Sequence, residues 1–373
     1  MLRRSYAGFA VLLLSSAAAH AQETDRTTVG GYGEVHYVNA SGPDTPGQAT
    51  VRRFVIYLAH AFNDRIAMRS ELEVEDAKLE AGSPAGEVAL EQLYLDYRTS
   101  AAFTLRGGLV LPPVGILNET HEPTTFNGVA RPDFDHDVIP TTWREIGVGA
   151  LGTFPGGSGL SYRFYLMNGL RASGFSAAEG IREGRQEGQE ATFANPSLTG
   201  RLEWERPGVR IGSSFWYGGS AAQDPALGEG AFANAVALVS ADARVTAGPV
   251  SVRGVFATVH VSDADRINAA YGNGVGSRIT GGYGEAAYDL LSLLAPRSEA
   301  HLNAFARHER YDTHAAVPAG TVRDPALARR FTTFGLVYQP IYNIALKADY
   351  QLRRNRAHAG EDDVVRLGVG YQF

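Results

Sequence analysis

The sequence predicts an all-β chain: a transmembrane, antiparallel, up-and-down β-barrel of about 16 strands, with a long third loop folded toward the pore. Three observations carry this expectation. Side chains alternate between apolar and polar along most of the chain, at the period of two that sends strand neighbours to opposite faces. Connections alternate between short and long. The polar face holds more charge than a dry interior accepts, which suits a wet lumen.

The expected strands span 29–38, 51–62, 65–75, 88–98, 103–109, 144–154, 160–169, 197–205, 208–217, 236–246, 250–261, 278–290, 299–311, 330–339, 343–354 and 364–373. In the third, Ile66, Met68, Ser70, Leu72 and Val74 alternate with Ala67, Arg69, Glu71, Glu73 and Glu75. In the fifteenth, Ile344, Leu346, Ala348, Tyr350 and Leu352 alternate with Ala345, Lys347, Asp349, Gln351 and Arg353. The last places Val365, Leu367, Val369, Tyr371 and Phe373 opposite small or polar residues. Segments 88–98, 250–261 and 278–290 mix their faces. Short connections such as Asn63-Asp64 and Arg206-Pro207 are followed by long ones such as 76–87 and 110–143. That rhythm is expected when one rim of a barrel carries turns and the other carries loops, and an even strand count leaves both termini on the turn side. Aromatic residues near strand ends, among them Tyr37, Tyr57, Tyr97, Phe103, Trp204, Tyr217, Tyr338 and Phe373, fit interfacial girdles.

Composition narrows the function. The chain has 373 residues, Lys+Arg 34 against Asp+Glu 40, and no Cys. The acidic balance argues against a nucleic-acid partner, and the absence of Cys excludes disulfide scaffolds, thiol catalysis and cysteine-held metals. Lysine occurs only at Lys78 and Lys347, so nearly all positive charge is arginine. Arg3 and Arg4, the apolar run from Phe9 to Leu14 and the Ala19-His20-Ala21 cleavage pattern mark residues 1–21 as a secretory signal peptide, leaving 22–373 as one barrel domain.

The ending Leu367-Gly-Val-Gly-Tyr-Gln-Phe373 resembles the C-terminal strand signature of Gram-negative outer-membrane barrels. The block Gly108-Leu-Val-Leu-Pro-Pro-Val-Gly-Ile-Leu-Asn-Glu-Thr-His-Glu-Pro-Thr-Thr-Phe-Asn-Gly-Val129, with Ile139-Pro-Thr-Thr-Trp-Arg-Glu145, resembles general porins related to the phosphate-selective O and P family. The resemblance implies a diffusion channel of 16 strands, commonly a trimer, in the outer membrane. It also implies contact with membrane lipid, lipopolysaccharide and the barrel assembly machinery. Phosphate-selective members carry lysine clusters at the pore, for which this chain has no counterpart.

The expected lumen residues are Arg53, Arg69, Glu71, Arg106, Arg163, Arg201, Arg210, Arg253, Arg307, Lys347, Arg353 and Arg366. Rings of charge set the preference of a channel. Arginines interleaved with acids predict weak selectivity, with a preference for anions such as phosphate if the third loop sits against an arginine-rich wall. That loop is stiffened by Pro112, Pro113, Pro123, Pro132 and Pro140 and carries Asn118, Glu119, His121, Glu122, Asp133, Asp135 and Asp137 as its constriction candidates. Glu119, His121 and Glu122 match no standard zinc spacing. Asp133, Asp135 and Asp137 are spaced like the first ligands of a calcium loop, but Val138 stands where the sixth position needs Gly. No metal and no cofactor are expected. Arg144 and Glu145 at the loop exit are expected to anchor it by hydrogen bonds. Residues 180–190 read as a charged, mobile external loop and 263–270 as a short helix at the pore mouth. No Gly-x-Ser-x-Gly elbow appears, so an enzyme is not expected. The competing readings are a non-conducting barrel for adhesion or surface structure, and a barrel enzyme built on acids such as Glu71 and Glu73.

Overall fold

The computed structural model describes residues 26–42, 46–76, 86–222, 232–358 and 362–373. The expected signal peptide and Lys78 lie outside them. Sixteen strands form one closed sheet: β1 (Thr27–Ala40), β2 (Gln48–Ala61), β3 (Ile66–Glu75), β4 (Glu87–Ser100), β5 (Phe103–Val110), β6 (Glu145–Thr153), β7 (Leu160–Met167), β8 (Ser197–Arg206), β9 (Val209–Gly218), β10 (Val236–Ala247), β11 (Val250–Val261), β12 (Arg278–Asp289), β13 (His301–Ala316), β14 (Ala328–Ile341), β15 (Ile344–Asn355) and β16 (Val364–Gln372). Each is antiparallel to its sequence neighbours, and β16 returns to β1. Closure pairs the backbone groups of every strand, which is the condition a sheet must meet in hydrocarbon.

The last residue completes the seam. Gly31 and Phe373 exchange backbone hydrogen bonds of 3.0 and 2.9 Å, and the Phe373 ring stacks on Phe54 at 6.4 Å. At the turn rim, Gly208 with φ +77° closes the two-residue link from Arg206 to Val209, a left-handed conformation that glycine adopts without steric cost.

Burial is inverted relative to a soluble domain. Phe256 is 55% exposed on the outer face, whereas Arg307 is 1% exposed on the inner one. Outward residues include Leu202, Val239, Leu336 and Leu367, and inward ones include Glu34, Arg201 and Asp349. An apolar exterior over a charged interior is the surface a bilayer-spanning barrel needs. Most of the expected girdle aromatics, Tyr37, Tyr97, Phe103, Trp204 and Tyr338 among them, are exposed on the outer face. Tyr57 is a correction. It alternates with Arg53 and Val55 on β2, so it points inward over Gly30, where an added Cβ would lie 2.3 Å from its ring.

The interior is not wet throughout. A buried apolar cluster joins loop residues Val114, Leu117, Phe134 and Trp143 to inward residues Trp216, Leu238, Val259, Ile279 and Phe331 of β9 to β14. Trp143 and Trp216 meet at 5.3 Å between ring centres. This explains the mixed faces of 250–261 and 278–290: their inward apolar residues seat a loop. The segment after β7 is a second correction. It folds inward instead of ranging free: Ile181 is buried, Arg182 and Arg185 donate to the Thr141 carbonyl at 3.2 and 3.3 Å, and Gln186 N donates to Glu145 at 3.1 Å. The expected helix near 263–270 is α2 (Ala264–Tyr271), ended by Gly272 in the left-handed region. Two four-residue helices, α1 (Phe134–Asp137) and α3 (Leu291–Leu294), and short 3-10 turns occupy the connections among the described residues.

Candidate functional site

The loop from Leu111 to Arg144 enters the lumen and crosses to the opposite wall. Its first half is held by β8 and β9: Arg201 donates to the Gly115 carbonyl at 3.2 Å, and Gly115 N donates to Ser214 at 3.2 Å. Its middle reaches β12, β15 and β16. Thr124 bonds Gln372 at 2.8 Å, Asn127 donates to Glu285 at 2.9 Å, and Val129 N donates to Asp349 at 2.6 Å. Lys347 Nζ donates to the carbonyls of Phe126 and Gly128, both at 2.8 Å, and lies 3.9 Å from the Phe126 ring centre. Phe134 N, at the start of α1, donates to Glu309 at 3.0 Å. Glycine on β16 leaves the space this needs. A Cβ on Gly368 would fall 2.7 Å from Val129, and one on Gly370 would fall 2.6 Å from Pro123.

The anchor at the loop exit is built as expected. Glu145 accepts from Trp143 Nε1 at 3.1 Å, Asn168 Nδ2 and Gln186 N, and Arg144 pairs with Glu187 at 2.9 Å. Asn118 holds the two ends of the loop together, donating to the carbonyls of Pro112 and Trp143 and accepting from Trp143 N.

Two charged cavities flank the loop, and no lining residue is common to both. The one toward the loop rim, about 690 Å³, is lined by Arg53, Arg131, Arg182, Arg329, Arg353 and their acids. The one toward the turn rim, about 280 Å³, is lined by six arginines (Arg69, Arg106, Arg163, Arg201, Arg210, Arg244) against four glutamates (Glu71, Glu119, Glu122, Glu203).

Most of the named cations are paired and do not form a bare ladder. Arg53 bridges Glu34 at 2.6 Å and Glu73 at 3.0 Å. Arg106 grips Asp96 through two bonds of 2.7 and 2.9 Å. Arg163 meets Glu119 at 3.3 Å, Arg201 binds Glu203 and Asp242, and Arg210 binds Glu205. Arg253 and Arg307 share Glu285, Arg307 also takes Glu309 at 2.9 Å, and Arg366 reaches Asp349 at 3.3 Å. Arg353 lies 4.7 Å from the Phe331 ring centre, and Arg69 stays exposed, 5.6 Å from the Tyr57 ring centre. Paired charges leave a small net field.

The loop acids separate. Asp133 accepts from Gln351 at 2.8 Å and Asp137 pairs with Arg329, so the three aspartates do not converge on one point. Asp135 is buried, and burial, with the Glu309 charge beside it, pushes its carboxyl up to about 7. His121 joins neither Glu119 nor Glu122 in a cluster. It lies 3.2 Å from Glu91 and 3.9 Å from Glu71 on the wall. Burial opposes its charged form, but the charge and hydrogen bond of Glu91 outweigh that and raise its pKa to about 9. Glu91 was not a sequence candidate. It is the extra residue of a β-bulge, because Glu71 pairs with Gln92 while Leu72 pairs with Leu90. The signal for it was the phase break between Leu90 and Leu93, which face outward across two inward residues.

No family model matches the chain. Its fold matches solved outer-membrane porins at low sequence identity. The Salmonella typhi OmpF structure with daunomycin gives a TM-score of 0.62 at 13% identity, covering 93% of this chain and 97% of that one. The anion-selective porin of Comamonas acidovorans gives 0.58 at 12%, covering 93% and 99%. The DcaP channel of Acinetobacter baumannii gives 0.58 at 13%, covering 93% and 97%. In sequence, an uncharacterised protein of Aquifex aeolicus (strain VF5) is 34% identical over 383 residues, which cover 99% of this chain and 84% of that protein. The chain therefore belongs to one family with the Aquifex aeolicus protein, and its fold is that of the outer-membrane porins.

Proposed function

We propose that this chain is an outer-membrane porin: a water-filled channel for passive diffusion of ions and small hydrophilic solutes, weakly selective for anions in the size class of phosphate. The observation that carries this reading is the Leu111–Arg144 loop, folded into the lumen and flanked by charged cavities of about 690 and 280 Å³. The anion preference is supported by the excess of arginine over glutamate around the smaller cavity. One of the similar solved structures is an anion-selective porin, and another, OmpT of Vibrio cholerae, is described in a trimer form. A homotrimer in the outer membrane follows as part of the proposal, as do export through residues 1–21, insertion by the barrel assembly machinery and contact with lipopolysaccharide. The candidate lumen and constriction residues keep their proposed roles on the strength of their inward positions. No catalytic role is assigned to any of them.

The test is planar-bilayer recording of the purified, refolded chain in a KCl gradient. Stable conductance steps with a reversal potential of anion sign are expected, and deletion of 115–138 should raise the step size. Folded, heat-modifiable protein that never conducts would overturn the channel reading in favour of a surface or adhesive barrel.

A further inference from the structure

We propose that Glu71, Glu91 and His121 form a binding site for one divalent transition-metal ion of the zinc class, which staples the inward loop to the wall of β3 and β4. The proposal does not depend on whether the barrel conducts.

The donor set is one imidazole nitrogen and two carboxylate oxygens, all buried and all within 4.8 Å of one another. Around an ion bonded at 2.0–2.2 Å, tetrahedral ligand atoms stand about 3.4 Å apart. The 3.2 and 3.9 Å separations from His121 Nε2 bracket that value. Hard cations such as Ca²⁺ want six or more oxygens, so the imidazole favours zinc and its neighbours.

The supporting contacts orient these atoms. His121 Nδ1 donates to the Asn118 carbonyl at 3.0 Å, which turns Nε2 toward the carboxylates. Ligating histidines are commonly held this way through their other nitrogen. Asn118 is itself fixed by Pro112 and Trp143. Gln92 Nε2 donates to one oxygen of Glu71 and leaves the other facing His121. Tyr32 donates to Glu91 Oε2 at 3.4 Å.

Two further observations point to a ligand. Glu91 is fully buried, and its Oε1 has no hydrogen-bond partner. An unpaired buried carboxylate oxygen is costly, and an ion held by both oxygens of Glu91 removes that cost. The neighbouring guanidiniums are engaged elsewhere: Arg131 with the His121 carbonyl, Arg53 with Glu34 and Glu73. The β4 bulge is the second. It breaks alternation so that Glu91 and Gln92 both turn in opposite Glu71, and bulges recur where a side chain must be re-aimed. Glu71 and His121 line the 280 Å³ cavity, which gives the ion an approach and room for a water as fourth ligand. On binding, the ion replaces the Nε2 proton, which leaves to solvent.

The experiment strips the folded, purified chain with a chelator, reloads it with Zn²⁺ or Co²⁺, and measures bound metal and the cobalt visible spectrum. Close to one ion per chain, with a tetrahedral cobalt spectrum, is expected. Glu91→Gln and His121→Gln should abolish retention, Gln92→Ala should weaken it by roughly 10–100-fold, and the exposed control Asp265→Asn should leave it intact. Heat-modifiable migration checks that each variant folds. If the ligand variants do not fold, the wild-type stoichiometry and spectrum decide. No retained metal in the wild type, an octahedral spectrum, or equal retention by folded ligand variants would overturn the proposal.

Discussion

Replacing Lys347 by Met should release the middle of the inward loop while leaving the barrel closed. Lys347 makes two charge-assisted hydrogen bonds of 2.8 Å, to Phe126 and Gly128, and caps the Phe126 ring. Bonds to charged groups contribute about 1.5–3 kcal/mol each, so the pair supplies about 3–6 kcal/mol of docking. The lower figure applies here, because lumen water re-solvates the freed carbonyls. A loss of about 3 kcal/mol raises the undocked fraction by more than about a hundredfold. Methionine keeps the length and apolar stem, so packing loss stays small. Hydrogen exchange reads the effect directly: the Val129 amide, bonded to Asp349 at 2.6 Å, should exchange about a hundredfold faster. Amides of β10 and β11 should not change. Bilayer recordings should show noisier, larger steps. Unchanged Val129 exchange together with unchanged noise would refute the view that Lys347 pins the loop.

Three other outcomes are expected. Arg307→Met takes the paired guanidinium from buried Glu309, while Glu285 keeps Arg253, and should cost about 3–5 kcal/mol in denaturant unfolding. Leu202→Arg places a charge at the centre of β8 on the outer face and should cost about 2–4 kcal/mol in a bilayer, with little effect on conductance. Asp135 holds its proton up to about pH 7 in the folded chain but loses it near 3.8 when unfolded, so its contribution is complete below pH 3.8 and is lost as pH rises through 7. The shift corresponds to about 4 kcal/mol, and Asp135→Asn should flatten the stability profile between those values.

The strands were legible because lipid imposes a strict period of two on one face, and a one-residue slip would expose charge to hydrocarbon. All sixteen stand where alternation puts them, with ends displaced by a few residues. The inward position of the third loop was legible from its length, prolines and apolar content. What it touches was not. The partners of Phe126, Val129 and Phe134 sit on β12, β13 and β15, and no local pattern encodes a contact across the lumen. The mixed faces of 250–261 and 278–290 were visible, but their cause is the apolar seat they offer that loop. Glu91 was hidden for a related reason: a bulge erases the alternation that would have assigned its face. The 180–190 segment read as external because its charges look like a solvated surface, yet Arg182 and Arg185 spend theirs on the Thr141 carbonyl.

The seam between Gly31 and Phe373 has a kinetic consequence. Fifteen of the strand pairings join neighbours in sequence, through short turns at one rim and longer loops at the other. The sixteenth joins opposite ends of the chain and must be made by its last residues. Its loop entropy grows only slowly with length, about 0.6 kcal/mol per doubling, but it comes due in a single step. Until that step both edge strands present unpaired amides, so the open sheet is the species most exposed to edge-to-edge aggregation. The register from Gly33 opposite Tyr371 to Ala40 opposite Val364 then holds the seam, and the Gly31–Phe373 bonds secure its end.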